Sequence, residues 1–235
     1  MKRMPHDTVA IVPARGGSKR IPRKNIRPFL GKPILARVLE QLRAADCFDE
    51  VMVSTDDEEI AQLARASGAA VPFMRSRESS GDEATTVAVL LEVMAAYERG
   101  GRRFAQVCCI YPTAVFITPP LLHEGLRLLR SAGADCVLPV LRFASPIERA
   151  FRVTGGRLEM VDPRHSSTRT ADLPPAYHDA GQFYWLRAAS LLAQKAIYMR
   201  HAVPLLLDEM QAQDINTEED WRTAEAKFAL LRERR

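Results

Sequence analysis

With 235 residues, 47% of them hydrophobic and 26% charged, the chain is long enough to bury one full hydrophobic core, and its balance is that of an ordinary globular protein. No low-complexity tract or internal repeat is present, no stretch reaches the roughly 18 apolar residues of a membrane helix, and no apolar signal core precedes Thr8. The net charge of +4 bears on partners only where the cations cluster, and the densest cluster, Arg15 to Lys32, has no aromatic ladder for stacking bases, which favours a small polyanion over nucleic acid.

The first predicted element is a strand over Thr8 to Pro13, and it runs into Ala14-Arg-Gly-Gly-Ser-Lys-Arg-Ile-Pro-Arg-Lys-Asn25. Gly16 and Gly17 let main-chain N–H groups approach an anion, while Arg15, Lys19, Arg20, Arg23 and Lys24 supply positive charge, so the bend reads as a cradle for nucleotide phosphates. Neither a Walker A loop nor a dinucleotide fingerprint fits it, because Gly16-Gly17-Ser18-Lys19 has the wrong spacing for both. The alternative is a solvated basic loop that binds nothing. Pro22, Pro28 and Pro33 keep the next stretch irregular, and a helix is predicted to start near Pro33.

Further short apolar runs, rich in Val and Ile, predict strands over Glu50 to Thr55, Ala70 to Met74, Phe104 to Tyr111 and Asp135 to Leu141. Between them, apolar faces at helical spacing fall on Ile34, Leu35, Val38, Leu39 and Leu42; on Ile60, Leu63 and Ala64; on Val87, Leu90, Leu91 and Met94; and on Leu121, Leu122, Leu126 and Leu129, this last helix capped by Thr118 ahead of Pro119. Alternating strands and helices predict a three-layer α/β/α fold of Rossmann-like type around a mainly parallel sheet. Ligands of such sheets bind beyond the carboxyl ends of the strands, so the Arg15 bend, Ser54-Thr55-Asp56 and Tyr111-Pro112-Thr113 are expected to converge. From about Arg142 the pattern changes, with a hairpin predicted around Thr154-Gly155-Gly156 and an irregular polar stretch from Asp162 to Pro175. The core resumes with Gln182 to Leu186 and Val203 to Leu207, and Thr217-Glu-Glu-Asp220 opens a last helix bearing Trp221, Ala224, Phe228 and Leu231. We expect a single domain, with a core of 1–141 and 181–235 and an extension of about 142–180. Cys47, Cys108, Cys109 and Cys136 lack Cys-x-x-Cys pairing and read as small core residues of a reduced, cytoplasmic protein.

The order Pro13-Ala-Arg-Gly-Gly-Ser-Lys-Arg-Ile-Pro-Arg-Lys-Asn25 resembles the signature of the cytidylyltransferases that activate nine-carbon 2-keto sugar acids, the CMP-sialic acid synthetase family, and Asp172-Leu-Pro-Pro-Ala-Tyr-His-Asp-Ala-Gly-Gln-Phe-Tyr-Trp185 looks most like its pseudaminic acid branch. The resemblance implies a nucleotidyltransferase fold and attack by the anomeric hydroxyl of a nonulosonic acid on the α-phosphorus of CTP, releasing pyrophosphate. Such a transfer depends on alignment and charge neutralisation, with no covalent intermediate required. Arg15 and Lys24 match the family's phosphate-contacting positions, with Lys19 next; Ala14, Gly16, Asn25, Arg75, Asp82 and Thr86 complete the implied nucleotide site. Asp214 stands where the family carries the first acid of an Asp-x-Asp that holds Mg²⁺, but Asn216 replaces the second. The expectation is that Asp214 anchors the ion and the Asn216 carbonyl assists. For the sugar acid the resemblance implies Tyr111, Arg169, Tyr177, His178, Gln182 and Tyr184. Arg169 offers a bidentate fork to the carboxylate, and His178 beside Asp179 is a candidate to orient or deprotonate the attacking hydroxyl. It also implies that residues 142–180 reach across a homodimer. Competing readings are CMP-sialic or CMP-legionaminic acid synthesis and, in view of Asn216, a nucleotide-binding protein without catalysis. Neither nucleic acid nor membrane is an expected partner.

Overall fold

In the computed structural model, which describes residues 7–81, 83–131 and 133–233, the chain wraps one mixed sheet with helices on both faces. The strand β1 (Thr8–Pro13) is buried over almost its whole length and is followed by a two-residue hairpin, β2 (Pro28–Phe29) and β3 (Lys32–Pro33). Helix α1 (Ile34–Ala45) starts directly after Pro33, and its buried face is the expected Ile34, Leu35, Val38, Leu39 and Leu42, with Ala36 and Ala45 added. Each large aliphatic side chain buried there stabilises the fold by roughly 1.5–3 kcal/mol.

Strand β4 (Glu50–Ser54) and helix α2 (Glu58–Ala66) follow, the helix capped by the Asp57 side chain, which accepts from the Ile60 N–H. The strand predicted over Ala70 to Met74 reduces to one parallel bridge between Met52 and Ala70. Val53 N–H donates to the Ala70 carbonyl and Ala70 N–H to that of Val51, but Pro72 has no N–H with which to continue the ladder. Helix α3 (Thr86–Arg99) buries Val89, Leu90, Val93, Met94 and Tyr97, a face rotated from the predicted one, which had used Val87 and Leu91. Strand β5 (Gln106–Ile110), helix α4 (Pro119–Ser131) and strand β6 (Cys136–Arg142) keep the predicted order.

Next comes the hairpin β7 (Phe151–Thr154) and β8 (Arg157–Met160), which among the described residues pairs only with itself. Its turn residues, Gly155 and Gly156, both have positive φ (57° and 77°), as a tight two-residue hairpin turn requires. Strands β9 (Tyr177–Asp179) and β10 (Phe183–Arg187) return the chain antiparallel along one side of β6, followed by α5 (Ala188–Gln194), β11 (Ala202–Leu207) and α6 (Glu218–Glu233). Thr217 and Asp220 exchange the hydrogen bonds of a capped start to α6.

The sheet order is β11-β6-β10-β5-β1-β4, with β4, β1, β5, β6 and β11 running one way and β10 the other. One buried cluster joins this sheet to α1, α2, α4 and α6, and a second joins its opposite face to α3 and α5. Trp185 sits in the first cluster, stacked on Phe48 at 5.2 Å and donating its indole N–H to the Leu122 carbonyl. All four cysteines are buried thiols, and burial pushes Cys109 up to about 12, so it stays protonated beneath the sheet's functional edge.

Candidate active site

Because β1, β4 and β5 are parallel, the loops leaving their carboxyl ends meet at one edge, as the sequence predicted. Between them lies a cleft of about 410 Å³. It is lined by the basic bend (Arg15, Lys19, Arg20, Lys24 and Asn25), by Arg75 and Thr86, by Tyr111, Pro112 and Thr113, and by Asp214 and Asn216 on the loop before α6. Ser54 and Asp56 join from behind: the Ser54 Oγ and carbonyl accept from the Arg75 guanidinium at 3.0 and 2.5 Å, and Asp56 accepts from the Gly16 N–H at 2.9 Å.

The bend is held by its own contacts. Ala14 N–H extends the β1 ladder to the Ser54 carbonyl, and the buried Asn25 amide donates to the Arg15 carbonyl at 2.8 Å. Among the described residues the buried Asn25 Oδ1 has no hydrogen-bond partner, so a donor from a bound ligand would satisfy it. Gly16 is required by space: a Cβ there would stand 2.6 Å from Asp57 Oδ2 and 2.9 Å from its Cβ.

Four of the five cations of the bend separate into distinct contacts. Arg23 turns to the outside, paired with Asp57 at 2.6 Å and with Glu59, and fastens the bend to the start of α2. Arg15 reaches the Gly81 carbonyl at 3.3 Å across the cleft mouth. Lys24 donates to the Ile215 carbonyl at 2.8 Å, and Arg20 donates to the Asn216 Oδ1 at 2.8 Å, so both tie the bend to the Asp214 loop. Burial lowers the Lys24 pKa below its ordinary value, against the pull of Asp214 and with the push of Arg20 and Arg15. Asp214 packs against Gly181, where a Cβ would lie 3.1 Å from the Asp214 Cβ and Cγ.

Asn216 differs from expectation in its hydrogen bonding. Its amide nitrogen donates to Asp214 Oδ2 at 2.5 Å while its oxygen accepts from Arg20. In this arrangement the carbonyl expected to assist a metal is engaged elsewhere, and Asp214 supplies the carboxylate alone. Among the described residues no group of three or more His, Cys, Asp or Glu side chains is disposed to hold a metal. One carboxylate beside a basic bend nevertheless fits Mg²⁺, a hard ion commonly held by one or two carboxylates together with phosphate oxygens of a ligand.

At the other end of the cleft Tyr111 packs edge-on against Tyr184, with ring centroids 5.5 Å apart. Tyr184 and Tyr198 both donate their phenolic O–H to Asp179 Oδ2 at 2.7 Å, and Gly181 N–H donates to Oδ1 at 2.8 Å. Burial raises the Tyr111 and Tyr184 pKa values, and the bond to Asp179 raises that of Tyr198 to about 12, so all three stay protonated donors. A smaller pocket lined by Thr85, Thr86, Tyr111, Tyr184, Ile197 and Tyr198 opens beside them. The buried Gln182 directs Nε2 at the Gln213 carbonyl and leaves Oε1 without a partner.

Not every expected residue reaches this region. Arg169 is exposed on the extension, 3.9 Å from Asp172, and Tyr177 and His178 are exposed on β9, with the His178 ring 4.8 Å from that of Phe143 and its Nδ1 2.9 Å from the Asp179 carbonyl. None of the three lines the cleft of this chain. Asp82 lies outside the described residues. Conversely, the sequence did not single out Tyr198, and it marked Arg20 and Asp179 only as one cation of the bend and as the neighbour of His178, not as the partners of Asn216 and of the two tyrosines. Nothing local distinguishes Arg20 from four neighbouring cations, and Tyr198 reaches Asp179 only through the path of the chain after α5.

A model of the cytidylyltransferase family matches residues 9–227. The pseudaminic acid cytidylyltransferase of Campylobacter jejuni is 35% identical to this chain over 226 residues, which cover 96% of this chain and 97% of that protein. The CMP-N,N′-diacetyllegionaminic acid synthase of Legionella pneumophila is 28% identical over 231 residues, again with 96% and 97% covered. Among solved structures, a CMP:2-keto-3-deoxy-manno-octonic acid synthetase complexed with CTP superposes with a TM-score of 0.68 at 19% identity, covering 95% of this chain and 98% of that one, a likeness of fold.

Proposed function

The chain belongs to the cytidylyltransferase family, and from that premise we propose that it makes CMP-pseudaminic acid. It transfers the cytidylyl group of CTP to the anomeric hydroxyl of a nonulosonic acid. The sugar oxygen bonds to the α-phosphorus, the bond from that phosphorus to the bridging oxygen breaks, pyrophosphate leaves, and the hydroxyl proton passes to solvent or a base. The observation that carries this reading is the convergence of Arg15, Lys19, Arg20 and Lys24 on one cleft, facing Asp214, at the carboxyl edge of the sheet. Pseudaminic acid is favoured over its relatives by the higher identity to the Campylobacter jejuni enzyme than to the Legionella pneumophila one.

In this reading Ala14, Arg15, Gly16 and Lys19 shape and charge the seat of the triphosphate, and Lys24 stabilises charge near the α-phosphate as a compact ammonium. Asn25, Arg75, Asp82 and Thr86 bind the nucleoside end. Asp214 would hold Mg²⁺ together with phosphate oxygens; when bound, the ion would neutralise charge building on the departing pyrophosphate. Tyr111, Gln182 and Tyr184 bound the sugar site, with Asp179 orienting the tyrosine.

The extension favours a homodimer. Phe151, Val153, Leu158 and Met160 share one face of the β7–β8 hairpin, and Phe151, Val153 and Leu158 are 55%, 74% and 70% exposed. An apolar face on an arm that, among the described residues, pairs with no other strand suits a second copy. Arg169, Tyr177 and His178 would then act on a neighbouring sugar site. The core of 1–141 and 181–235 and this arm form one working unit, placed in the cytoplasm and without nucleic acid or membrane as partner.

A pyrophosphate-release assay with the four nucleoside triphosphates against a panel of nonulosonic acids tests the proposal. Release with CTP and pseudaminic acid is expected. Release only with legionaminic or N-acetylneuraminic acid would move the substrate within the family, and no release with any acid would leave a nucleotide-binding protein without this activity.

A further inference from the structure

Arg20 spans 196 positions of sequence to place Nη2 2.8 Å from Asn216 Oδ1, and Asn216 Nδ2 lies 2.5 Å from Asp214 Oδ2. A guanidinium only donates and an ionised carboxylate only accepts, so these two partners fix which way the amide faces. The amide's single acceptor is turned to a cation and its donor to the carboxylate. What this side of the cleft offers a divalent ion is therefore one carboxylate, with Arg20 and Lys24 close by to repel it.

A triphosphate changes the balance at Arg20. A guanidinium bonds to phosphate oxygens with full charge assistance and in bidentate geometry, whereas the Asn216 carbonyl is neutral and takes one bond. We propose that Arg20 guards the metal side of the cleft. It withholds Asn216 Oδ1 in the nucleotide-free protein and releases it when a triphosphate takes the guanidinium. A half-turn of the freed amide then presents Oδ1 where Nδ2 now meets Asp214, and the pair becomes a two-oxygen seat. Nucleotide and divalent ion thus enter together, and Asn216 serves both as clasp and as conditional ligand. This inference rests on the nucleotide reading above for its second half only.

The test is read on the nucleotide-free protein, with Mn²⁺ as an oxygen-seeking probe followed by the electron paramagnetic resonance signal of the free ion. Wild type is expected to bind Mn²⁺ weakly. Arg20→Met and, as a second variant, Arg20→Ala should bind it about fivefold or more tightly, because repulsion falls and the amide is freed. The double variant Arg20→Met/Asn216→Ala should lose that gain. Arg20 is exposed, so the single variants should keep the wild-type thermal transition. Unchanged Mn²⁺ affinity in both single variants would overturn the proposal, and so would a gain that survives in the double variant, since Arg20 would then act by charge alone. CTP affinity of the wild type is measured separately: if CTP does not bind but the Arg20 variants still gain Mn²⁺ through Asn216, the nucleotide reading falls while the clasp stands.

Discussion

The basic bend and the β7–β8 arm are both excursions from the sheet, yet they satisfy themselves in opposite ways. The bend is wired into its own chain at nearly every turn: Asn25 to the Arg15 carbonyl, Gly16 to Asp56, Arg23 to Asp57 and Glu59, Lys24 and Arg20 to the Asp214 loop. The arm keeps its apolar face toward solvent and, among the described residues, pairs only with itself. A single chain therefore pre-forms the basic side of the cleft, whereas the arm leaves apolar surface uncovered. Pre-formed cations suit a reaction whose barrier is mainly electrostatic.

The comparison can be broken first at the bend. Lys24→Met removes the partly buried cation beside Asp214, and kcat/KM for CTP should fall by about 10²–10³ with no change in oligomeric mass. A loss under tenfold in steady-state assays would mean that the charge there is incidental. At the arm, Val153→Glu combined with Leu158→Glu puts two carboxylates on a cross-strand apolar pair. Light scattering should show monomers, and turnover of the sugar acid should drop about tenfold while calorimetric CTP affinity holds within about twofold. Loss of CTP binding together with the dimer would erase the distinction between the two regions.

Two smaller changes sharpen it. Gly16→Ala forces a methyl group against Asp57, and thermal or denaturant unfolding should show about 1–3 kcal/mol of lost stability with a several-fold rise in the KM for CTP. Truncating the obstacle in Gly16→Ala/Asp57→Ala should recover part of both, and full additivity of the two losses would show that they do not meet. Tyr198→Phe removes one of the donors on Asp179, a contribution of about 1 kcal/mol, and should raise the KM for the sugar acid a few-fold while leaving that for CTP unchanged.

What could be read from the sequence follows from how local each cause is. Strand β1, the glycines after it and the run of cations lie in one stretch, so the basic bend and its position at a strand end were legible, as were the start of α1 after Pro33 and the hairpin at Gly155-Gly156. The strand expected over Ala70 to Met74 was not realised, because apolar composition predicts burial but Pro72 decides whether the ladder goes on. The face of α3 was misjudged by part of a turn, since Val87 and Leu91 are as apolar as the Val89 and Val93 that the sheet covers. Within the site, residue type announced a group of cations but not their sorting. Arg23 faces Asp57 and Arg20 faces Asn216 because of where α2 and the Asp214 loop arrive, and that is set by contacts tens to hundreds of residues apart. Asn216 was read as a carbonyl assisting Asp214; its part as a hydrogen-bonded link between Arg20 and Asp214 needed coordinates.

The central claim is that the bend of residues 15–25 is the seat of the nucleotide's phosphates, and a crystal structure with unreacted CTP tests it most directly. The account predicts the triphosphate within hydrogen-bond reach of Arg15 and Lys24, on the side of the cleft that Asp214 faces. A triphosphate bound elsewhere, with Arg15 and Lys24 turned to solvent, would contradict it.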